Sequence, residues 1–140
     1  MNTANYLGYN DWRLPTALNQ NGTGPCSGYN CTSSEMGHLF YVDGGLSLGQ
    51  SILTSTTLDD YFTNMKSAVY WSGSVVAPDP LGAWTFDAGY GSQDAYDKSI
   101  YNYAMAVRPG DVAAVPEADT WAMLLAGLGL VGVATRRRRG

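Results

Sequence analysis

Residues 121–135 carry no charge, and residues 136–139 are four consecutive arginines. An apolar run polar on no face cannot sit half-buried on a globule, because a surface helix keeps one polar side. It needs either a core large enough to swallow it or a bilayer. At 1.5 Å rise per residue it covers roughly 22 Å, against a hydrocarbon core of ~30 Å. Extension through Thr120, an interfacial Trp121 and a snorkelling Arg136 narrow the gap, and local thinning absorbs the rest. Gly127, Gly129 and Gly132 weaken a helix in water but are common in membrane helices. The expectation is a single C-terminal transmembrane helix over residues 121–135, with a basic cytoplasmic tail at 136–140. By the positive-inside rule everything before Trp121 then faces the other side. The glycine spacing lacks GxxxG, so no specific helix dimer is expected.

About 110 residues precede this tail, enough for one small domain with a core of its own. Before Pro116 there are four basic residues (Arg13, Lys66, Lys98 and Arg108) against ten carboxylates, a net charge of −6. An acidic body argues against nucleic acid and sulfated polymers as partners. The arginine run, placed after an apolar span, reads as a membrane stop rather than a nucleic-acid patch. Cys26 and Cys31 lie close in sequence. An exported body meets an oxidising compartment, so a disulfide closing this short loop is expected. Two cysteines and the single His38 are too few for a metal site, and no cofactor is expected. Residues 1–9 are neither basic nor followed by an apolar stretch, so they are no signal peptide. An exported chain without one implies that this sequence begins inside a longer protein.

In the body, residues 19–30 are rich in Gly, Asn, Pro and Ser and read as a loop. Thr32-Ser-Ser-Glu35 fits a capping box. Met36, Leu39 and Phe40 then give one apolar helical face, and the helix should end by Gly44-Gly45. Residues 58–66 fit a helical turn or two. Strands are expected at residues 68–72, 83–87 and 100–108, the last with Tyr101, Tyr103, Met105 and Val107 on one face. Three closely spaced strands favour an antiparallel meander. The fold class is therefore α+β, a small antiparallel-sheet domain over residues 1–110. Residues 111–120 form the linker.

The tail resembles a known kind of signal. Val115-Pro-Glu117, the apolar Trp-Ala-Met-Leu-Leu-Ala-Gly-Leu-Gly-Leu and Arg136 to Arg139 are similar to a PEP-CTERM sorting signal. Such signals occur in Gram-negative bacteria that make exopolysaccharide. The resemblance implies recognition near Pro116 and Glu117 by the membrane enzyme exosortase. It implies passage through the inner membrane with the body facing the periplasm, then display at the cell surface or in the extracellular matrix. Exosortase, the inner membrane and exopolysaccharide are the implied partners. One departure is Ala118, where the motif has its second proline, and it puts processing efficiency in question.

The body carries a second resemblance. Asp11-Trp-Arg-Leu-Pro-Thr16, Tyr70-Trp-Ser72, Ala83-Trp84 with Phe86, and Val107-Arg-Pro109 occur in the order seen in DUF1566 domains. That family includes the C-terminal domain of the Legionella collagen-like adhesin. The resemblance covers residues 8–110 and implies a compact, extracellular, non-enzymatic α+β module related to C-type-lectin-like folds. The family has a further stretch upstream of the Asp-Trp-Arg-Leu-Pro segment, which again points to a longer protein. The adhesin's sulfated ligand suits a basic surface, so it does not carry over to this acidic body.

Few residues suggest chemistry. Arg13 and Arg108 are read first as partners of carboxylates such as Asp11 or Asp87, pinning loops to the sheet. Trp12, Trp71 and Trp84 are read as core anchors before sugar platforms. Ten tyrosines make an exposed aromatic face credible. The candidate ligand contacts are thus Trp71, Trp84, Tyr90 and Arg108. Asp87, Asp94 and Asp97 flank a Gly-rich loop but lack calcium-loop spacing. His38 has no nucleophile motif around it, and Glu35 is read as a cap rather than an acid catalyst. No catalytic residue is expected. Two other classes remain, a plain membrane-anchored structural protein and an enzyme acting on extracellular polymer.

Overall fold

The computed structural model describes residues 2–109. They belong to the first of two units, Met1–Pro109 and Gly110–Gly140. The expected linker, transmembrane helix and basic tail lie outside the described residues. Among the described residues no helix is long and apolar enough to cross a membrane.

The described part is a small sheet-rich domain with few helices. Its strands are β1 (Gly28–Tyr29), β2 (Val69–Val75), β3 (Gly82–Asp87), β4 (Ser92–Asp97) and β5 (Tyr103–Ala104), in the spatial order β1-β4-β3-β2-β5. The middle three form an antiparallel meander, with Tyr70 opposite Phe86 and Phe86 opposite Gln93. A bulge interrupts β2 between Trp71 and Val75. The expectation of a purely antiparallel sheet is corrected: β5 runs parallel to β2, placing Tyr103 beside Tyr70 and Ala104 beside Trp71. The sheet is mixed because residues 98–102 carry the chain past β3 and β2 to the far edge, where it re-enters in β2's direction.

The third expected strand shrinks to Tyr103–Ala104, followed by a single bridge of Val107 to Arg13. Tyr101 and Tyr103 are exposed. β4 was not expected, since Ser, Gln and Asp in Ser92–Asp97 oppose a strand reading. It forms because the turn after β3 returns the chain against it, with Gly91 at a positive φ of 83°. A Cβ at Gly91 would approach Tyr41 Oη and Phe40 Cε1 to 2.6 and 2.7 Å.

Helix α1 (Glu35–His38) is one turn that widens into a π-type turn, Leu39–Asp43, and stops at Gly44. The capping-box reading is corrected. Ser34 is the cap, its Oγ accepting the Gly37 N–H at 3.2 Å. Glu35 is turned away to other partners. Helix α2 (Thr56–Asp59) is capped by Ser55 and starts two residues before the expected turn at 58. Met36, Phe40, Leu46, Ile52, Leu58, Tyr70, Phe86 and Ala88 form the core, between the 36–58 segment and one face of β2 and β3. Phe40 and Phe86 meet at 5.6 Å between ring centroids, within the range of favourable aromatic pairing.

Candidate functional site

The N-terminal segment is fixed from both sides. Arg13 and Val107 exchange backbone hydrogen bonds of 2.9 and 2.8 Å. The Arg13 guanidinium donates to both Glu35 oxygens at 2.7 Å. Glu35 also accepts the Thr16 N–H at 2.6 Å. Arg13 was expected to pair with a carboxylate such as Asp11 or Asp87; the carboxylate it meets is Glu35, because the segment lies against the start of α1. The guanidinium holds the Glu35 carboxyl below the usual carboxylate range, against partial burial and with help from Thr16. In turn Glu35 raises Arg13. Arg108 does find Asp11, at 3.1 and 3.3 Å, and lies 3.5 Å over the Tyr9 ring. Its guanidinium likewise lowers Asp11.

Pro15 accepts the Gly73 N–H at 2.8 Å, so the segment continues along the outer half of β2. Thr16, Ser74 and the Ala17 N–H form a small cluster, with Ser74 Oγ accepting from Ala17 at 3.0 Å. Cys26 and Cys31 form a disulfide with their Cα atoms 5.6 Å apart. Gly37 lets α1 approach the Cys31 carbonyl, a space a side chain would fill. The residue that joins these parts is Gln93, which sequence reasoning missed. Its side chain is 1 % exposed, and its amide donates to Ala17 O at 3.0 Å and Cys26 O at 2.7 Å. A single glutamine among serine and aspartate gives no sequence signal for that role.

Between these elements lies a groove of about 770 Å³. Trp84, Arg13, Thr16, Leu18, Ser74 and Val75 line it, with Pro25 at the disulfide-loop end. Of the four candidate ligand contacts, Trp84 lines this groove. Trp71 sits in the β2 ladder opposite Thr85, and Tyr90 is 60 % exposed in the β3–β4 turn. Arg108 is engaged with Asp11 and Tyr9. The structure therefore does not gather the four into one site. Nor are Trp12, Trp71 and Trp84 core anchors: all three are half-buried, and none belongs to the buried core cluster or to the residues packed against it.

The acidic loop is tied up locally. Asp87 accepts the Gly89 N–H and Asp97 the Ser99 N–H, both at 2.8 Å. Among the described residues no group of three His, Cys, Asp or Glu could hold a metal ion. His38 Nε2 lies 3.7 Å from Asp43.

The sorting residues Val115, Pro116 and Glu117 and the stop residues Arg136, Arg137, Arg138 and Arg139 lie outside the described residues. The comparison with protein families bears on the segment that holds them. A PEP-CTERM protein-sorting motif is found at residues 114–139. No curated protein and no solved structure matches the chain. The PEP-CTERM match supports sorting by exosortase and transit to the cell envelope or surface. Its bounds enclose the Pro116-Glu117 pair, the apolar run and all four arginines.

Proposed function

We propose that this chain is a non-enzymatic surface or extracellular-matrix protein of a Gram-negative bacterium, delivered by exosortase through its PEP-CTERM signal. The carrying observation is the match over residues 114–139. In this reading the apolar run halts in the inner membrane with the four arginines in the cytoplasm. The body faces the periplasm as a DUF1566-like module. Exosortase cuts near Pro116-Glu117 and releases or re-anchors the body outside, where it associates with exopolysaccharide. The disulfide between Cys26 and Cys31 suits that oxidising route.

The test follows the body with an epitope placed before Val115, in the full-length gene. It is expressed in an exosortase-positive host and in its isogenic exosortase deletion. A shorter product, released or surface-bound, is expected only in the positive host. The same membrane-retained band in both would reject sorting. That outcome would favour the second reading, a plain membrane anchor, for which Ala118 in place of the motif's second proline is the specific observation.

A further inference from the structure

The sorting signal gives the groove over Trp84 no task, yet the groove is built to keep its shape. One rim, residues 13–18, is held by Glu35 and by the Gly73 N–H. The other rim is closed by the Cys26–Cys31 bridge. Buried Gln93 ties the two rims together through Ala17 O and Cys26 O. Rims fixed in this way lose little freedom when a ligand enters. The volume of about 770 Å³ falls within the range of small-molecule and oligomer sites.

Charge narrows the occupant. Arg13 is the charged residue among those lining the groove, and Glu35 matches its charge at 2.7 Å. The groove is thus close to neutral, inside a body whose net charge of −6 repels polyanions. An extended peptide needs an unpaired strand edge to add to. Here the outer edge of the bordering strand is already engaged at Gly73, which donates to Pro15. What remains is an aromatic face beside hydroxyls. A sugar ring fits both, since its apolar C–H face carries slight positive charge toward the indole's negative face. Its rim hydroxyls can then meet Thr16, Ser74 and Arg13.

We infer that this groove binds an uncharged sugar unit of a polysaccharide, stacked on Trp84. The inference rests on the matrix-association reading above and gives that reading a site. The test titrates the full chain, in detergent micelles, with dextran and galactomannan as neutral polymers and alginate as polyanion. One extended unstructured peptide competes. Binding to a neutral polymer is expected, weakened at least tenfold by Trp84→Ala, largely kept by Trp84→Phe and unchanged by Trp71→Ala. Thermal melts of each variant establish that the domain is folded. If Trp84→Ala binds as wild type does, matrix association stands and the groove assignment falls. If none of the three polymers binds, both fall, and if alginate alone binds, matrix association stands and the uncharged-sugar assignment falls. If the peptide displaces the neutral polymer, the sugar assignment is wrong, and if alginate displaces it, the requirement for an uncharged unit is wrong. Processing of Trp84→Ala in the exosortase-positive host reads sorting separately, and it should match wild type.

Discussion

Arg13 grips Glu35 through two parallel 2.7 Å hydrogen bonds, although 22 residues separate them in the chain. Glu35 sits at the first position of a one-turn helix, so the pair fastens the N-terminal segment to α1. Both side chains are more than a third exposed, and solvent screens the pair. Glu35→Ala also strands the Thr16 N–H. The expected cost is about 1–2 kcal/mol, read as a lower midpoint in urea. A midpoint within error of wild type would show that this contact contributes nothing.

The same contacts set a pH dependence. Glu35 and Asp11 have folded-state pKa values below their unfolded ones, mainly through Arg13 and Arg108. Their contribution is therefore complete above the unfolded carboxylate range near pH 4 and is lost as pH falls through the folded values. Arg13 stays charged throughout and adds no slope. Stability should be flat from about pH 7 to 5 and fall below about pH 4. Glu35→Gln should flatten part of that fall. An unchanged acid limb in the variant would assign the loss to other carboxylates.

The Cys26–Cys31 bridge closes a loop with a sequence separation of 5. Closing so short a loop restricts the unfolded chain by about 2 kcal/mol on the chain-entropy account. Replacing both cysteines with alanine should lower stability by about that amount, measured against wild type kept oxidised. The loss should be matched when wild type is reduced. A reduced wild type as stable as the oxidised one would remove the bridge from the stability argument.

Gln93 offers a sharper test. Replacing it with leucine keeps most of the volume but leaves Ala17 O and Cys26 O without their donor. A buried unsatisfied carbonyl costs about 1–3 kcal/mol. Gln93→Leu should therefore destabilise the domain by about 2–4 kcal/mol. Amide exchange should also rise in residues 17–26 before the β2–β3 ladder opens. Uniform exchange across the domain would contradict its role as a local tie.

These residues mark where the sequence was readable. Met36 and Phe40 announced a helix because apolar side chains at helical spacing have few other uses, and both are buried. The β2 and β3 strands were legible from aromatic and β-branched residues. β4 was not, because Gln93 and Asp94 carry no strand preference and are placed by the turn at Gly91. Nor did the alternation of Tyr101, Tyr103 and Met105 reveal direction, since period two is the same for parallel and antiparallel pairing. The capping-box pattern misled because Ser34 takes the cap two residues later than Thr32, freeing Glu35 for Arg13. The site divides in the same way. Trp84 was among the candidates, but the rims over it depend on Gln93 and on a long-range ion pair, neither of which leaves a local trace.

The last prediction concerns the signal itself. Pro116 and Glu117 lie inside the matched PEP-CTERM segment, and in the proposed reading Ala118 stands where the signal has its second proline. Proline restricts φ and removes a backbone donor, so a Pro-Glu-Pro segment stays extended and cannot be drawn into a following helix. An extended segment is also the shape a cleaving enzyme can thread into its site, and Ala118 relaxes that restriction. Ala118→Pro should therefore raise the processed fraction in the exosortase-positive host, by roughly two- to fivefold if ordering the segment contributes about 0.5–1 kcal/mol. Glu117→Gln should lower that fraction. Alanine replacement of Arg136 to Arg139 should scramble topology, seen as loss of protease protection of the tail in spheroplasts. An unchanged ratio of cleaved to uncleaved chain in Ala118→Pro would mean that the second proline has no part in recognition. Processing would then rest on Pro116, Glu117 and the membrane segment alone.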